Sequence, residues 1–471
     1  MTENFEVAII GAGTAGLAAL REVRKQTDNF VLINHGPYGT TCARVGCMPS
    51  KALIEAASAF HRRKAFAEFG IRGGEGLAMD IPSALERVRR LRDGFVAGTL
   101  KATEDLGARN LAGRARFLEP NLLEVGARRL RAGKIIIATG SRPIIPEDWR
   151  SLEDRILTSD TLFEQTDLPD KMAVIGLGVI GVEMAQALAR LGIEIHAFDR
   201  GSWVGNLSDP DINQTAQDCL ETEFKLYCGA TAELSAAEDK VRIRAEGVDM
   251  VVDKVLAALG RRPNLDGLGL EALGLSLDGK GVPPFDPLTM QVADLPIFIA
   301  GDCNQRAPVL HEAADDGHIA GRNAVAESPQ CHARRTPMAI VFSDPNIAQV
   351  GRRFSDLDQA QTLVGAVSFK RSGRALAAAS NRGALRVYAD KHSGTLLGAE
   401  ICAPQGEHMA HLLALAIQQN LCVNDLLRLP FYHPVVEEGL RKALRRLAKQ
   451  LPAAPASDLA GCDAFGAEAL D

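Results

Sequence analysis

The chain has 471 residues, 46% of them hydrophobic and 24% charged, the balance of an ordinary globular protein and not of a disordered or fibrous one. Its 53 basic and 59 acidic side chains leave a formal charge of -6, which gives a nucleic-acid backbone or an anionic membrane no general attraction for it. No apolar run approaches the roughly 18 residues that cross a bilayer.

From the N-terminus, Phe5–Ile10 predicts a strand, Gly11, Gly13 and Gly16 a glycine turn, Leu17–Lys25 a helix and Phe30–Ile33 a second strand. This is the opening of a doubly wound α/β sheet. In such a G-x-G-x-x-G unit two glycines let the backbone turn and approach a pyrophosphate, and the third packs helix on strand. The helix N-terminus offers its free N–H groups to the phosphates. No basic segment, apolar stretch and cleavage site precede the strand, so the expectation is a cytoplasmic protein. Asn34 ends the second strand, where an acid that accepts from ribose hydroxyls is expected.

Cys42 and Cys47 follow in a glycine-rich polar stretch, Gly39 to Lys51, ahead of a helical run to about Phe66. Nine cysteines, an odd number in a long chain, make no disulfide framework. The other seven are expected to be buried small hydrophobes or idle surface thiols. In a regular helix, positions five apart have Cα atoms roughly 8.7 Å apart, beyond the roughly 7 Å that a disulfide spans. A bond between Cys42 and Cys47 therefore needs a distorted turn, for which Gly46 supplies the freedom. Spacing alone leaves a redox pair and two unrelated thiols equally open.

The strand, turn, helix, strand pattern returns at Met172–Ile175, with Gly176, Gly178 and Gly181, then Val182–Arg190 and Glu194–Phe198. Asp199 closes this second unit, 18 residues after Gly181. An acid there favours the unphosphorylated ribose of NAD, whereas adjacent Arg200 suits a 2′-phosphate. Short strands are predicted at Lys240–Ala245 and Val251–Leu259, then a loop opening at Gly260, then the strand Ile297–Ala300 ending in Gly301-Asp302. From about Thr336 the texture changes to strands and two late helices, Gly406–Gln419 and Pro434–Gln450, with Pro434 in the first turn of the last. Arg87–Arg92 and Arg441–Lys449 predict amphipathic helices with basic solvated faces. The Ala- and Pro-rich stretch 451–471 predicts a mobile tail.

Two glycine units in one chain, the segment Cys42-x-x-x-x-Cys47-Met48-Pro49-Ser50-Lys51, and His433-Pro434-x-x-x-Glu438 together resemble the pyridine nucleotide-disulfide oxidoreductases, a family of FAD enzymes, over about residues 5 to 450. The resemblance implies an α/β chain with two doubly wound, Rossmann-like nucleotide-binding domains plus an α+β C-terminal dimerisation domain. The division it implies is an FAD-binding domain in two parts (1–145 and 265–335), an NAD-binding domain (146–264), the dimerisation domain (336–450) and the tail (451–471). It also implies a redox disulfide in which Cys47 is next to the flavin and Cys42 exchanges with substrate, with Lys51 near the flavin and paired with Glu183. FAD contacts fall by the same resemblance on Gly11, Gly13, Gly16, Asn34, Thr41, Lys51, Ala115, Thr139, Gly140, Ser141, Asp302, Val309, Leu310 and His311. NAD contacts fall on Gly176, Gly178, Ile180, Gly181, Asp199, Arg200 and Gly260. No metal site is expected.

Thiol–disulfide exchange requires a thiolate, so a base near neutral pKa must take the proton and a carboxylate must orient the imidazole. The resemblance gives these roles to His433 and Glu438, the base coming from the partner subunit of a homodimer. Against the family pattern stand Thr40 for glycine, Arg44 for Asn and Asn34 for Glu, the last predicting a looser hold on the adenosine end of FAD. The implied reaction passes electrons between dihydrolipoamide, free or on a lipoyl-bearing carrier protein, and NAD. Two alternatives stay open: an NADPH-linked reductase of another small disulfide, favoured by Arg200, and a mainly structural flavoprotein subunit, opposed by Cys42, Cys47, His433 and Glu438.

Overall fold

The computed structural model describes residues 2–452. The predicted tail, apart from Leu451 and Pro452, and with it Cys462, lies outside the described residues. Of the five sheets among the described residues, three large ones carry the α/β chain. The first has seven strands, in the order Asn110–Ala112, Phe30–Asn34, Thr2–Ile10, Arg128–Ile137, Leu122–Val125 and Ala115–Glu119, with Ile297–Ile299 added in parallel beside Ile135–Ile137. Phe30 to Ile33 is an unbroken apolar run and fully buried, as a parallel strand covered on both faces must be.

One of those covers is the helix Thr14–Val23, and against it lies Leu310–Val325, brought from three hundred residues away. Their backbones nearly touch. A β-carbon on Gly317 would stand 2.2 Å from the Ala15 carbonyl oxygen, and one on Gly321 2.5 Å from that of Ala19. Beside this seam the buried Glu22 carboxylate accepts from Lys25 Nζ (2.8 Å) and Arg322 Nε (3.3 Å) and meets His318 Nδ1 at 2.8 Å. Burial pushes its pKa up, but those partners more than offset it and hold it at about 2.

The second sheet is wholly parallel, in the order Lys225–Cys228, Glu194–Asp199, Lys171–Ile175, Lys254–Ala257 and Ile156–Leu157. The single strand predicted over Val251–Leu259 is in fact two. Val248–Val252 belongs to a three-stranded antiparallel sheet with Lys240–Ala245 and Glu233–Ala237, and Lys254–Ala257 enters the parallel one. Asp253 is the corner, its N–H donating to Lys171 O (3.1 Å) and its carboxylate accepting from Lys171 N (3.2 Å). The sequence hides this change of sheet because the apolar residues before and after Asp253 fit one strand as well as two.

The third sheet is antiparallel, in the order Met338–Val341, Asn346–Gly351, Leu396–Ala403, Ala384–Asp390 and Thr362–Ser368. The helices Gly406–Gln418 and Glu438–Ala448 pack on it. The last helix thus begins at Glu438, and Pro434 lies in a turn behind a cis His433–Pro434 bond rather than in the first helical turn. The basic face of the helix Ile81–Glu104 is partly tied down: Arg89 donates to Gln165 O (2.5 Å) and Arg92 pairs with Glu164. No helix among the described residues is long and apolar enough to cross a membrane.

Candidate functional site

The two glycine turns have the same local construction. Gly11 and Gly176 sit at φ of 114° and 98°, which side chains other than glycine's rarely adopt. A β-carbon on Gly11 would stand 2.2 Å from Ala138 O, and one on Gly176 2.4 Å from Ala258 O. On Gly16 it would lie 1.9 Å from Gly11 O, and on Gly181 1.8 Å from Gly176 O. At Gly13 nothing lies within 4 Å of where a β-carbon would be. Each turn is therefore closed toward the protein, and the first is open outward at its middle glycine, a cradle that admits a pyrophosphate against the helix N-terminus.

The predicted strand-end residues close these turns. Asn34 Oδ1 accepts from Ala12 N (3.1 Å), and Asp199 Oδ2 accepts from Leu177 N (2.6 Å) while its Oδ1 accepts from Gly201 N (2.7 Å). Arg200 is exposed and has no ion-pair partner among the described residues. Ile180 lies in the first turn of the helix Val179–Leu191, and Gly260, at φ 97°, lies exposed beyond the end of the parallel strand.

Between Cys42 and Cys47 the helical path breaks. One short helical turn spans Thr41–Arg44, and the helix Cys47–His61 starts afresh after Gly46 (φ −118°, ψ −116°). A β-carbon on Gly46 would stand 3.0 Å from Thr41 O and 3.3 Å from the Cys42 Cα. This is the distorted turn that the spacing calls for, and it brings the two thiols together. Cys47 opens a 15-residue helix, whose terminal N–H groups favour a thiolate. The neighbouring Cys42 thiol, and after it the Lys51 ammonium, draw the Cys47 pKa down to about 7 against the cost of burial. Contact with Cys47 and burial push Cys42 far up. Thr40, just before the segment, is held at φ 53°, ψ 146°, a glycine conformation occupied by a β-branched residue. Its Oγ1 accepts from Ala43 N at 3.2 Å.

Lys51 Nζ bonds both Glu183 oxygens, at 2.9 and 2.7 Å, and lies 4.5 Å from the centre of the Phe342 ring. Glu183 is buried and also accepts from Phe342 N at 2.9 Å. The predicted pair thus joins the cysteine helix, the second glycine unit and the antiparallel-sheet region at one point. Phe342 was not among the expected residues, since nothing local marks it.

Ser141 Oγ donates to Asp302 Oδ2 (2.8 Å), and Arg261 Nε donates to Ser141 Oγ (2.9 Å). Thr139 and Gly140 are held by Asn264, whose Nδ2 donates to Thr139 O and whose N donates to Gly140 O. The buried Thr139 Oγ1 has no oxygen or nitrogen partner in the chain and only the weak Cys303 thiol beside it, which suits a polar group supplied from outside. Val309 precedes the helix Leu310–Val325, whose first turn has no side-chain cap and presents exposed Leu310 and His311. Ala115 packs its methyl into the core of the first sheet, so only its backbone is left for a ligand. Arg334, which no motif singled out, bridges Glu312 (2.5 Å) and Asp316 (2.6 Å), and Asp316 in turn accepts from Gly301 N at 3.1 Å.

At the far end of the chain His433 Nδ1 meets Glu438 Oε1 at 3.1 Å, and that bond holds the Glu438 carboxyl below its ordinary pKa. The His433 side chain is 80% exposed, and among the described residues it touches neither Cys42 nor Cys47. No cluster of metal-binding side chains occurs among the described residues.

Residues 5–317 match the family described as pyridine nucleotide-disulphide oxidoreductase, and residues 337–444 match the dimerisation domain of the same family. The chain is 29% identical to dihydrolipoyl dehydrogenase 3 of Haloarcula marismortui, covering 94% of this chain and 96% of that protein. It is equally similar to the dihydrolipoyl dehydrogenase of Thermus scotoductus, at 29% identity over 95% and 98% of the two chains. Its fold is that of LpdA from Mycobacterium tuberculosis (TM-score 0.80, 24% identity, 95% and 100% covered) and of the HOCl-induced flavoprotein disulfide reductase RclA from Escherichia coli (TM-score 0.79, 23% identity, 94% and 99% covered). With both parts of the chain matched, this protein belongs to the pyridine nucleotide-disulphide oxidoreductases, FAD-dependent enzymes that use NAD(P), and carries their dimerisation domain.

Proposed function

We propose that the protein passes electrons between a dithiol of the dihydrolipoamide class and NAD, with Cys42 and Cys47 as its exchanging sulfurs. The observation that carries this reading is the break in the helical path at Gly46, which brings Cys42 and Cys47 together at the start of a 15-residue helix that also carries the Lys51–Glu183 ion pair. The helix N-terminus and the Lys51 ammonium favour the thiolate at Cys47, as a sulfur that must leave in exchange requires. Relatives named dihydrolipoyl dehydrogenase along nearly the whole chain support the substrate class.

In the exchange, His433 takes the proton from one substrate thiol, and Glu438 fixes and stabilises the imidazolium. The substrate thiolate attacks Cys42 of the Cys42–Cys47 disulfide, and the S–S bond breaks with Cys47 leaving as thiolate beside Lys51. The second substrate sulfur then attacks the first, closing a cyclic disulfide and releasing Cys42, which takes a proton. FAD would supply the two-electron redox chemistry between these sulfurs and NAD. Gly11, Gly13, Gly16 and Asn34 would hold its adenosine and phosphate end, and Thr139, Ser141, Asp302 and Lys51 its flavin end. Gly176, Gly178, Gly181 and Asp199 would hold the nicotinamide nucleotide. Because the His433 side chain is exposed on its own chain, it is open to serve the partner subunit of a homodimer. A cytoplasmic setting belongs to the same reading, since the cysteines form no disulfide framework.

Arg200 favours a second reading, an NADPH-linked reductase of another small disulfide, because it is exposed and unpaired among the described residues. Anaerobic titration with dihydrolipoamide tests the first. Long-wavelength absorbance from a thiolate against the flavin is expected, and its loss in Cys47→Ser. A titration that bleaches nothing and shows no such band would sink it, and turnover with NADPH above that with NADH would favour the second.

A further inference from the structure

The helix Pro210–Glu221 belongs to the second glycine unit but lies on the third sheet. Its apolar face, Ile212, Ala216, Cys219 and Leu220, repeats at helical spacing and is buried. Strands of the third sheet grip its start: Ser208 N and Asp209 N each donate to Glu400 Oε2 at 2.8 Å, and Tyr388 OH donates to Asp209 Oδ2 at 2.8 Å. At its other end Cys219 meets Cys402 of the strand Leu396–Ala403, thiol against thiol, within one buried cluster. Two sulfurs here face each other across a boundary between two parts of the fold, and the redox chemistry of Cys42 and Cys47 uses neither.

Cys402 is sealed in, whereas Cys219 lines a cleft of about 400 Å³ that also presents Asp218, Lys370, Asn381 and Arg382. The chain at Gly383 crosses directly over Cys402, so closely that a β-carbon there would stand 2.0 Å from Cys402 O. The Cys402 thiol and then the Arg382 guanidinium hold the Cys219 thiol below its ordinary pKa, against the cost of burial. The arrangement is an exposed-side nucleophile with a resolving thiol behind it.

We propose that Cys219 and Cys402 are a second dithiol, oxidised by hydrogen peroxide to a disulfide that pins the second nucleotide unit to the dimerisation domain. The Cys219 thiolate attacks one peroxide oxygen; the O–O bond breaks, the other oxygen leaves as hydroxide and becomes water, and Cys219 becomes a sulfenic acid. Cys402 then attacks that sulfur, the S–S bond forms, the S–O bond breaks, and the hydroxide leaves with the Cys402 proton as a second water. The two thiols lose two electrons and the peroxide gains them. An external dithiol reverses the step. Because the bond joins positions far apart in the chain, it removes freedom from the unfolded state and raises resistance to heat.

The test is hydrogen peroxide titration of the full-length holoenzyme, followed by alkylation under denaturing conditions and non-reducing peptide mapping. The expected product is one linked species containing Cys219 and Cys402, lighter by two hydrogens and separated by dithiothreitol. The thermal midpoint should rise by several degrees on oxidation, and in Cys402→Ala it should not. Recovery of both cysteines as alkylated thiols at peroxide levels that oxidise the exposed Cys331, or of Cys219 as an isolated sulfinate, would overturn the proposal. So would a rise in midpoint that survives Cys402→Ala. The mapping on unaltered protein decides the matter should that variant fail to fold.

Discussion

The glycine unit from Gly11 to Gly16 and the one from Gly176 to Gly181 share the same close approaches and have quite different surroundings. Each has its first glycine at positive φ against the end of the neighbouring parallel strand, its third glycine against the first, and the N–H of the residue after the first glycine (Ala12, Leu177) donating to the last residue of the following strand. In the first unit that residue is a neutral amide, and the covering helix is sealed by a second helix packed through Gly317 and Gly321. In the second it is a carboxylate held by two N–H groups, and the helix itself reaches outward, Glu183 to Lys51 and Arg190 to Glu223 (2.6 Å) and Asp344 (3.0 Å). The same turn therefore opens a helix that is sealed into the fold in one place and one that serves as a hub in the other. What a glycine motif does is decided by the side chains that leave it.

The largest effects should come from the glycines themselves. Gly16→Ala or Gly181→Ala drives a methyl into a carbonyl oxygen, and overpacking of this kind costs about 3 kcal/mol. Gly16→Ala should lose FAD on gel filtration while Gly181→Ala keeps it and loses only nucleotide turnover; loss of FAD from both would show that the units are not separable. Next comes the hub. Lys51→Met should move the midpoint of Cys47 alkylation upward from about 7 by about one pH unit. Glu183→Gln should move it downward, because that carboxylate opposes the thiolate. The alkylation rate rises with pH through this midpoint, since only the thiolate reacts.

Exchanging the strand ends should act more mildly. Asp199→Asn should raise KM for NADH about tenfold, equivalent to about 1.4 kcal/mol, and Asn34→Glu should slow FAD loss on dilution. Faster loss from Asn34→Glu would show that the amide is the better partner for this turn. The smallest change is expected at Thr40→Gly, which relieves backbone strain of about 1 kcal/mol while losing a few tenths from the cap. Its melting midpoint should rise slightly, and a fall would mean that the hydroxyl bond to Ala43 outweighs the strain.

Much of the site was legible because its signals are local. Glycine spacing places both turns, the residue at each strand end lies a fixed distance on, and the Cys42–Cys47 interval combined with Gly46 demands the break that is observed. The family resemblance supplied the Lys51–Glu183 and His433–Glu438 pairings, and both pairs are bonded. What stayed hidden are contacts made across the fold. Arg334 reaches Asp316 and Phe342 N reaches Glu183, and neither residue stands in any local pattern. Asp253 was unreadable for another reason: the apolar residues Val251 and Val252 before it and Val255 to Ala257 after it suit one strand as well as two, which conceals a passage between two sheets. The start of the final helix was misplaced because a proline that suits a first helical turn equally suits a tight turn ahead of it.

The strand Ile297–Ile299 completes the first sheet from a point in the chain beyond the whole second sheet, whose five strands all lie between Ile156 and Ala257. During synthesis, then, the second unit emerges with all its strands while the first still lacks one, so the later-encoded unit is the first able to close. Ribosome-bound chains ending shortly after Asn264 should already resist protease across the second unit and remain cleavable in the first. Uniform cleavage of both would contradict that order of assembly.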